Sequence, residues 1–137
     1  MLQDNQITAI NTIFKNYGYV LAAYLFGSQA RNKENRYSDV DIAVLFDTGI
    51  KKEEYTNLQI EIMNDLNDVL LKEVDVVILN RAALFLKYHV LKEGIKIYER
   101  GNRNEHNFEA QAIVQYLDFL PVKNRIERGM LAKIKGK

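Results

Sequence analysis

The chain has 137 residues, 47% hydrophobic and 27% charged, with a net charge of +1. That length and balance suit one soluble domain with a real core, and the near-neutral charge gives no argument for nucleic acid or membrane binding. No cysteine is present, which excludes disulfides and thiolate metal sites and agrees with a reducing compartment. No apolar run approaches the ~20 residues that span a bilayer. Residues 1–10 show neither a basic start nor an apolar signal core, so a cytoplasmic protein is expected.

In chain order, residues 3–16 are predicted as an amphipathic helix. Ile7, Ile10, Ile13, Phe14 and Tyr17 recur at helical spacing, and Gly18 is the expected stop. Tyr19–Phe26 is a first strand, broken by Gly27-Ser28. A second strand opens at Asp39 or Val40 and runs to Phe46. A turn around Gly49 leads into a helix over 53–71 whose apolar face is Tyr55, Leu58, Ile62, Leu66 and Val69. Asp65 and Asp68 fall on its solvated face. Glu73–Leu79 is a third strand. Asn80 is read as the N-cap of a helix that Gly94 ends, and Ile95–Tyr98 is a short fourth strand. A last helix covers 104–119 through Phe108, Ala112, Tyr116 and Phe119, with Pro121 ending it. His89 and His106 are each read as packed or surface residues, outside any site.

The chemistry concentrates between Tyr24 and Phe46. Asp39 and Asp41 are two apart on an extended chain, so their carboxylates share a face while Val40 points to the core. Two such carboxylates repel unless a cation lies between them. All-oxygen ligands suit Mg²⁺ or Mn²⁺, which also take phosphate oxygens. Gly27 permits close backbone approach, and Ser28 stands where free N–H groups favour an anion. A phosphate site beside a metal site is the layout of phosphoryl or nucleotidyl transfer. Asp75 stands alone in the apolar run of the third strand. It is either a strand-edge residue facing water or a paired or metal-binding carboxylate.

Gly-Ser, ten residues, then Asp-x-Asp resembles the signature of the polymerase-beta-like nucleotidyltransferase superfamily. GSQAR followed by SDVDIAVLF, and the text from Leu79 to Arg100, are similar to its minimal bacterial branch, the MNT domain that acts as antitoxin to HEPN-domain toxins. Asn32 departs from the pattern, where the family often has Gly; Asn tolerates left-handed backbone nearly as well.

The resemblance implies an α/β (α+β) fold, a small mixed sheet flanked by helices. It also implies a third acid on a later strand, for which Asp75 is the candidate. It implies transfer of AMP from ATP, with two Mg²⁺ ions (or Mn²⁺) held by Asp39, Asp41 and Asp75. Gly27 and Ser28 would bind the triphosphate, Arg31 would neutralise phosphate charge and Ser38 would orient Asp39. The acceptor it implies is a tyrosine of a HEPN ribonuclease toxin, held in a hetero-oligomer with this chain, with no membrane and no direct nucleic-acid contact. Arg31 as a surface salt-bridge partner and Ser38 as a turn cap stay open. So do transfer to a small molecule such as an aminoglycoside, and inhibition by stoichiometric binding alone.

The expected organisation is a nucleotidyltransferase domain over 1–101, a helix over 102–120 and a basic tail over 121–137. The tail is read either as a solvated, partly disordered terminus or as an element that docks on an acidic partner surface or on RNA, and its Ile126, Met130, Leu131 and Ile134 argue for a helix that folds against something.

Overall fold

The computed structural model describes residues 2–27 and 40–136. Its elements are α1 (Asp4–Asn16), β1 (Val20–Phe26), β2 (Val40–Phe46), α2 (Tyr55–Leu70), β3 (Val74–Ile78), α3 (Leu84–Glu93), β4 (Ile95–Glu99) and α4 (Arg103–Gly136), with short 3-10 turns at Lys52–Glu54 and Leu79–Arg81. The α/β reading and the small mixed sheet are borne out.

The four strands lie in the order β3-β2-β1-β4. β1 pairs antiparallel with both β2 and β4, and β2 pairs parallel with β3. A parallel pair needs a crossover, and α2 supplies it. The two central strands are buried on both faces, which is why they read as apolar runs, interrupted in β2 by Asp41 alone. One face carries Ile42, Val44, Val74 and Val76 against Ile10 and Phe14 of α1 and Ile62 and Leu66 of α2. The other carries Tyr24, Ala43 and Leu45 against Leu86, Val90 and Leu91 of α3 and Phe108 of α4.

Three local features are decided by local backbone or by contacts distant in sequence, and the last two differ from the sequence reading. α2 ends without a glycine: Leu71 takes the left-handed cap conformation itself (φ 53°) and bonds back to the Asn67 carbonyl. Asn80 does not cap α3, whose first turn follows Ala83. Its side-chain amide instead accepts from the Phe46 N–H at 2.8 Å and donates to the Phe46 carbonyl at 2.9 Å. It thereby continues the ladder one step past the last β2–β3 pair, Val44 with Ile78. Pro121 does not end α4, which runs through it to Gly136. A proline removes the bond to the carbonyl four residues back, here that of Leu117. Leu117 is exposed, so water can satisfy that group, and the next turn is supported by a Lys123–Glu127 pair at 3.0 Å.

Gly94 is required by close approach. A Cβ there would stand 2.5 Å from the Val90 carbonyl oxygen and 3.1 Å from that of Leu25. The turn from α3 into β4 is thus pressed onto β1.

Replacing Asn80 by alanine strips both backbone groups of the buried Phe46 of their side-chain partner. The expected loss is about 1–3 kcal/mol, read as a lower urea midpoint with an unchanged slope.

Candidate active site

The site begins with register. On the parallel pair, Asp41 lies directly opposite Asp75, at the ordinary strand spacing of roughly 4.8 Å. Residues opposite one another on paired strands present their side chains to the same face. By alternation that is the face of Ala43 and Leu45, the one that α3 and α4 cover. Asp41 is 6% exposed, whereas Asp75 is open to solvent. Among the described residues, no Lys, Arg or His forms an ion pair with Asp75.

Gly27 completes the described part. On the antiparallel pair, Phe26 is opposite Asp41, so the residue that follows it lies against the same carboxylate. Gly27 has φ +72°, and a Cβ on it would be 2.5 Å from Asp41 Oδ2. Both the left-handed backbone and the contact demand glycine. Close backbone approach at Gly27, argued from sequence for a ligand, is here an approach to a carboxylate.

The structure therefore brings Gly27, Asp41 and Asp75 together. Ser28, Arg31, Ser38 and Asp39 lie outside the described residues. The donor chemistry of Asp41 and Asp75 fits a hard divalent cation: two anionic oxygen ligands, converging from adjacent strands, one of them open to incoming phosphate or water.

A second acidic group has another occupation. Glu105, His106 and Glu109 of α4 come close enough to gather around an ion. However, the Lys96 ammonium of β4 already pairs with Glu105 and Glu109, at 2.8 Å each. The Tyr24 hydroxyl donates to Glu109. Glu105, fully buried, also accepts from the N–H groups of Arg100 (3.0 Å) and Gly101 (2.8 Å), while its own N–H donates to Asn102 Oδ1. This network ties the first turns of α4 to β1 and β4. Burial pushes the Glu105 carboxyl up, but hydrogen bonds from Lys96 and the two backbone N–H groups outweigh it and hold it below its usual range. Burial likewise pushes Lys96 down, and its two carboxylate partners more than reverse that. Burial, then the bond to Glu109, pushes the Tyr24 hydroxyl up, keeping it a donor. The sequence reading missed this network. Its one legible sign was Asn102-x-x-Glu105, the spacing of a capped helix start.

Comparison with known proteins settles the family. The polymerase beta nucleotidyltransferase family model matches residues 8–103. The chain belongs to that family. It is also 38% identical over 78 residues to a putative protein adenylyltransferase of Methanocaldococcus jannaschii, covering 57% of this chain and 80% of the relative. Among solved structures, a toxin–antitoxin with AMP-PNP superposes with a TM-score of 0.69 at 25% identity, covering 95% of this chain and 99% of the other. A chain from the complex of tri-AMPylated Shewanella oneidensis HEPN toxin with MNT antitoxin superposes with a TM-score of 0.64 at 24% identity, covering 92% and 98%. That last likeness carries the fold.

The Lys96–Glu105 pair gives a pH test. A carboxyl held low contributes stability above its unfolded value near 4.5, lost as pH falls through its folded value. A lysine held high contributes below its unfolded value near 10.5, lost as pH rises through its folded value. Lys96→Met should cost about 3 kcal/mol at neutral pH by leaving a buried carboxylate short of its cation. In unfolding titrations the deficit should shrink below pH 4.5 as Glu105 takes up a proton.

Proposed function

We propose that this chain is an antitoxin nucleotidyltransferase that transfers AMP from ATP to a tyrosine hydroxyl of a partner HEPN ribonuclease toxin, releasing pyrophosphate. The observation that carries the reading is the in-register pair Asp41 and Asp75 with Gly27 seated against Asp41. Likeness to a putative protein adenylyltransferase supports a protein acceptor. Likeness to a toxin–antitoxin bound to AMP-PNP, an ATP analogue, supports ATP as the donor and a toxin as the partner.

In this reading Asp39, Asp41 and Asp75 hold two Mg²⁺ ions, for which Mn²⁺ can substitute. A metal held there would supply positive charge to the triphosphate and would lower the pKa of a hydroxyl bound to it. Asp41, mostly withdrawn from water, serves as a fixed ligand. Asp75, open to solvent, is the carboxylate that a docked acceptor can reach, and it takes the tyrosine proton. The tyrosine oxygen forms a bond to the α-phosphorus as the bond to the bridging oxygen breaks, and pyrophosphate leaves with those electrons. The Gly27 and Ser28 backbone N–H groups and the Ser28 hydroxyl donate to phosphate oxygens. Arg31 adds positive charge at the phosphates, and Ser38 orients Asp39.

The test is intact-mass spectrometry of the HEPN-domain protein of the same genome after incubation with this chain, ATP and Mg²⁺. Wild type should add one or more AMP units. Asp41→Asn and Asp75→Asn, which keep shape and remove charge, should each slow the addition by at least about a hundredfold. No mass gain from wild type while the two proteins still associate would replace catalysis with inhibition by binding.

A further inference from the structure

Among the described residues, the distal half of α4 is buried against nothing. Phe108, Ala112 and Tyr116, spaced four apart, form the side of α4 that meets the rest of the molecule. From Leu117 to Leu131 no residue is buried. Yet that stretch carries a second apolar stripe, Phe119, Val122, Ile126 and Met130, at helical spacing and 41–54% exposed. The stripe begins in a groove. Leu84 and Phe85 of α3 line it with Tyr116, Phe119 and Lys123 around a volume of about 450 Å³, and Phe85 is itself 58% exposed. An unsupported helical end of this length is marginal in water, and four large apolar side chains on one line are the pattern of a helix that packs.

Charge says what it packs on. Residues 121–137 hold six of the nineteen basic residues and one of the eighteen acidic ones, a net +5. The remaining 120 residues therefore carry −4. Two copies joined helix to helix would set +5 against +5, so that pairing is disfavoured. The stripe suits an apolar groove rimmed by Asp and Glu. α4 also covers the sheet face on which Asp41 and Asp75 lie, so a protein held by this helix sits on the side of the carboxylates.

We infer that the distal half of α4 is the docking element for the protein acceptor. Phe119, Val122, Ile126 and Met130 enter an apolar groove of that protein, and the positive charge of residues 121–137 draws the helix to acidic groups around that groove. The inference rests on the reading that the acceptor is a protein and adds where it is held.

Two full-length variants test it, Ile126→Asp with Met130→Asp, and Arg125→Glu with Arg128→Glu. Each is titrated calorimetrically into the HEPN-domain protein of the same genome, with binding of ATP and Mg²⁺ measured alongside. All four positions are exposed, so the fold is expected to persist. Both variants should bind the HEPN protein at least tenfold more weakly while nucleotide affinity stays at the wild-type value. The charge reversal should also remove most of the salt dependence of association. Unchanged affinity in both variants would overturn the inference, as would a wild-type chain that does not bind the HEPN protein. A wild-type dimer that the variants dissociate, or wild-type binding to phosphatidylserine vesicles that the variants abolish, would assign the helix to another occupant. Wild-type binding without AMP transfer, weakened by both variants, would uphold docking and remove the catalytic reading instead.

Discussion

Two carboxylates on neighbouring residues of a parallel strand pair repel one another, and the fold around them makes that repulsion permanent. Asp41 and Asp75 cannot separate without breaking the β2–β3 register. That register is set by Ile42, Val44, Val74 and Val76 on the opposite face, all buried under α1 and α2. A slip of one residue would carry those side chains out of the core. Hydrophobic packing on one face thus holds a like-charged pair on the other, an arrangement that favours a divalent cation over water alone. Gly27 tightens the constraint, because the antiparallel β1–β2 register brings its backbone against the Asp41 carboxylate.

Two acidic groups among the described residues meet the same electrostatic problem differently. Glu105 and Glu109 are paid for internally, by Lys96, two backbone N–H groups and the Tyr24 hydroxyl. That cluster fastens the start of α4 to the sheet. Asp75 has no such internal cation among the described residues. Proximity of carboxylates alone does not separate the two groups; the distinction lies in whether a cationic side chain of the described residues already stands among them. α4 shows the same division along its length, fastened at its start and, among the described residues, without a buried side chain from Leu117 to Leu131.

Much of this was legible in the sequence because it rests on periodicity and on charges in apolar surroundings. The strands ending at Phe26 and Phe46 and the lone Asp75 stood out as breaks in otherwise apolar runs, and Asp75 does lie beside the Asp-x-Asp strand. What was not legible depends on contacts distant in sequence. Asn80 bonds to Phe46, 34 residues away, and from sequence alone it is indistinguishable from a helix cap. Lys96 meets Glu105 and Glu109 only after β4 turns into α4. Pro121 misled because the carbonyl it frees, that of Leu117, stands in water, which can replace the lost donor. The roles expected of Ser28, Arg31, Ser38 and Asp39 fall on residues outside those described.

The most direct test of the account is Mn²⁺ binding in the presence of a non-hydrolysable ATP analogue, followed by electron paramagnetic resonance. Wild type should bind Mn²⁺ together with the nucleotide. Asp41→Asn should weaken that binding at least tenfold and Asp75→Asn should lower the number of ions held, with both variants folded. Equal Mn²⁺ affinity and stoichiometry in all three proteins would mean that the carboxylate pair is not where the metal and nucleotide meet, and would contradict the account at its centre.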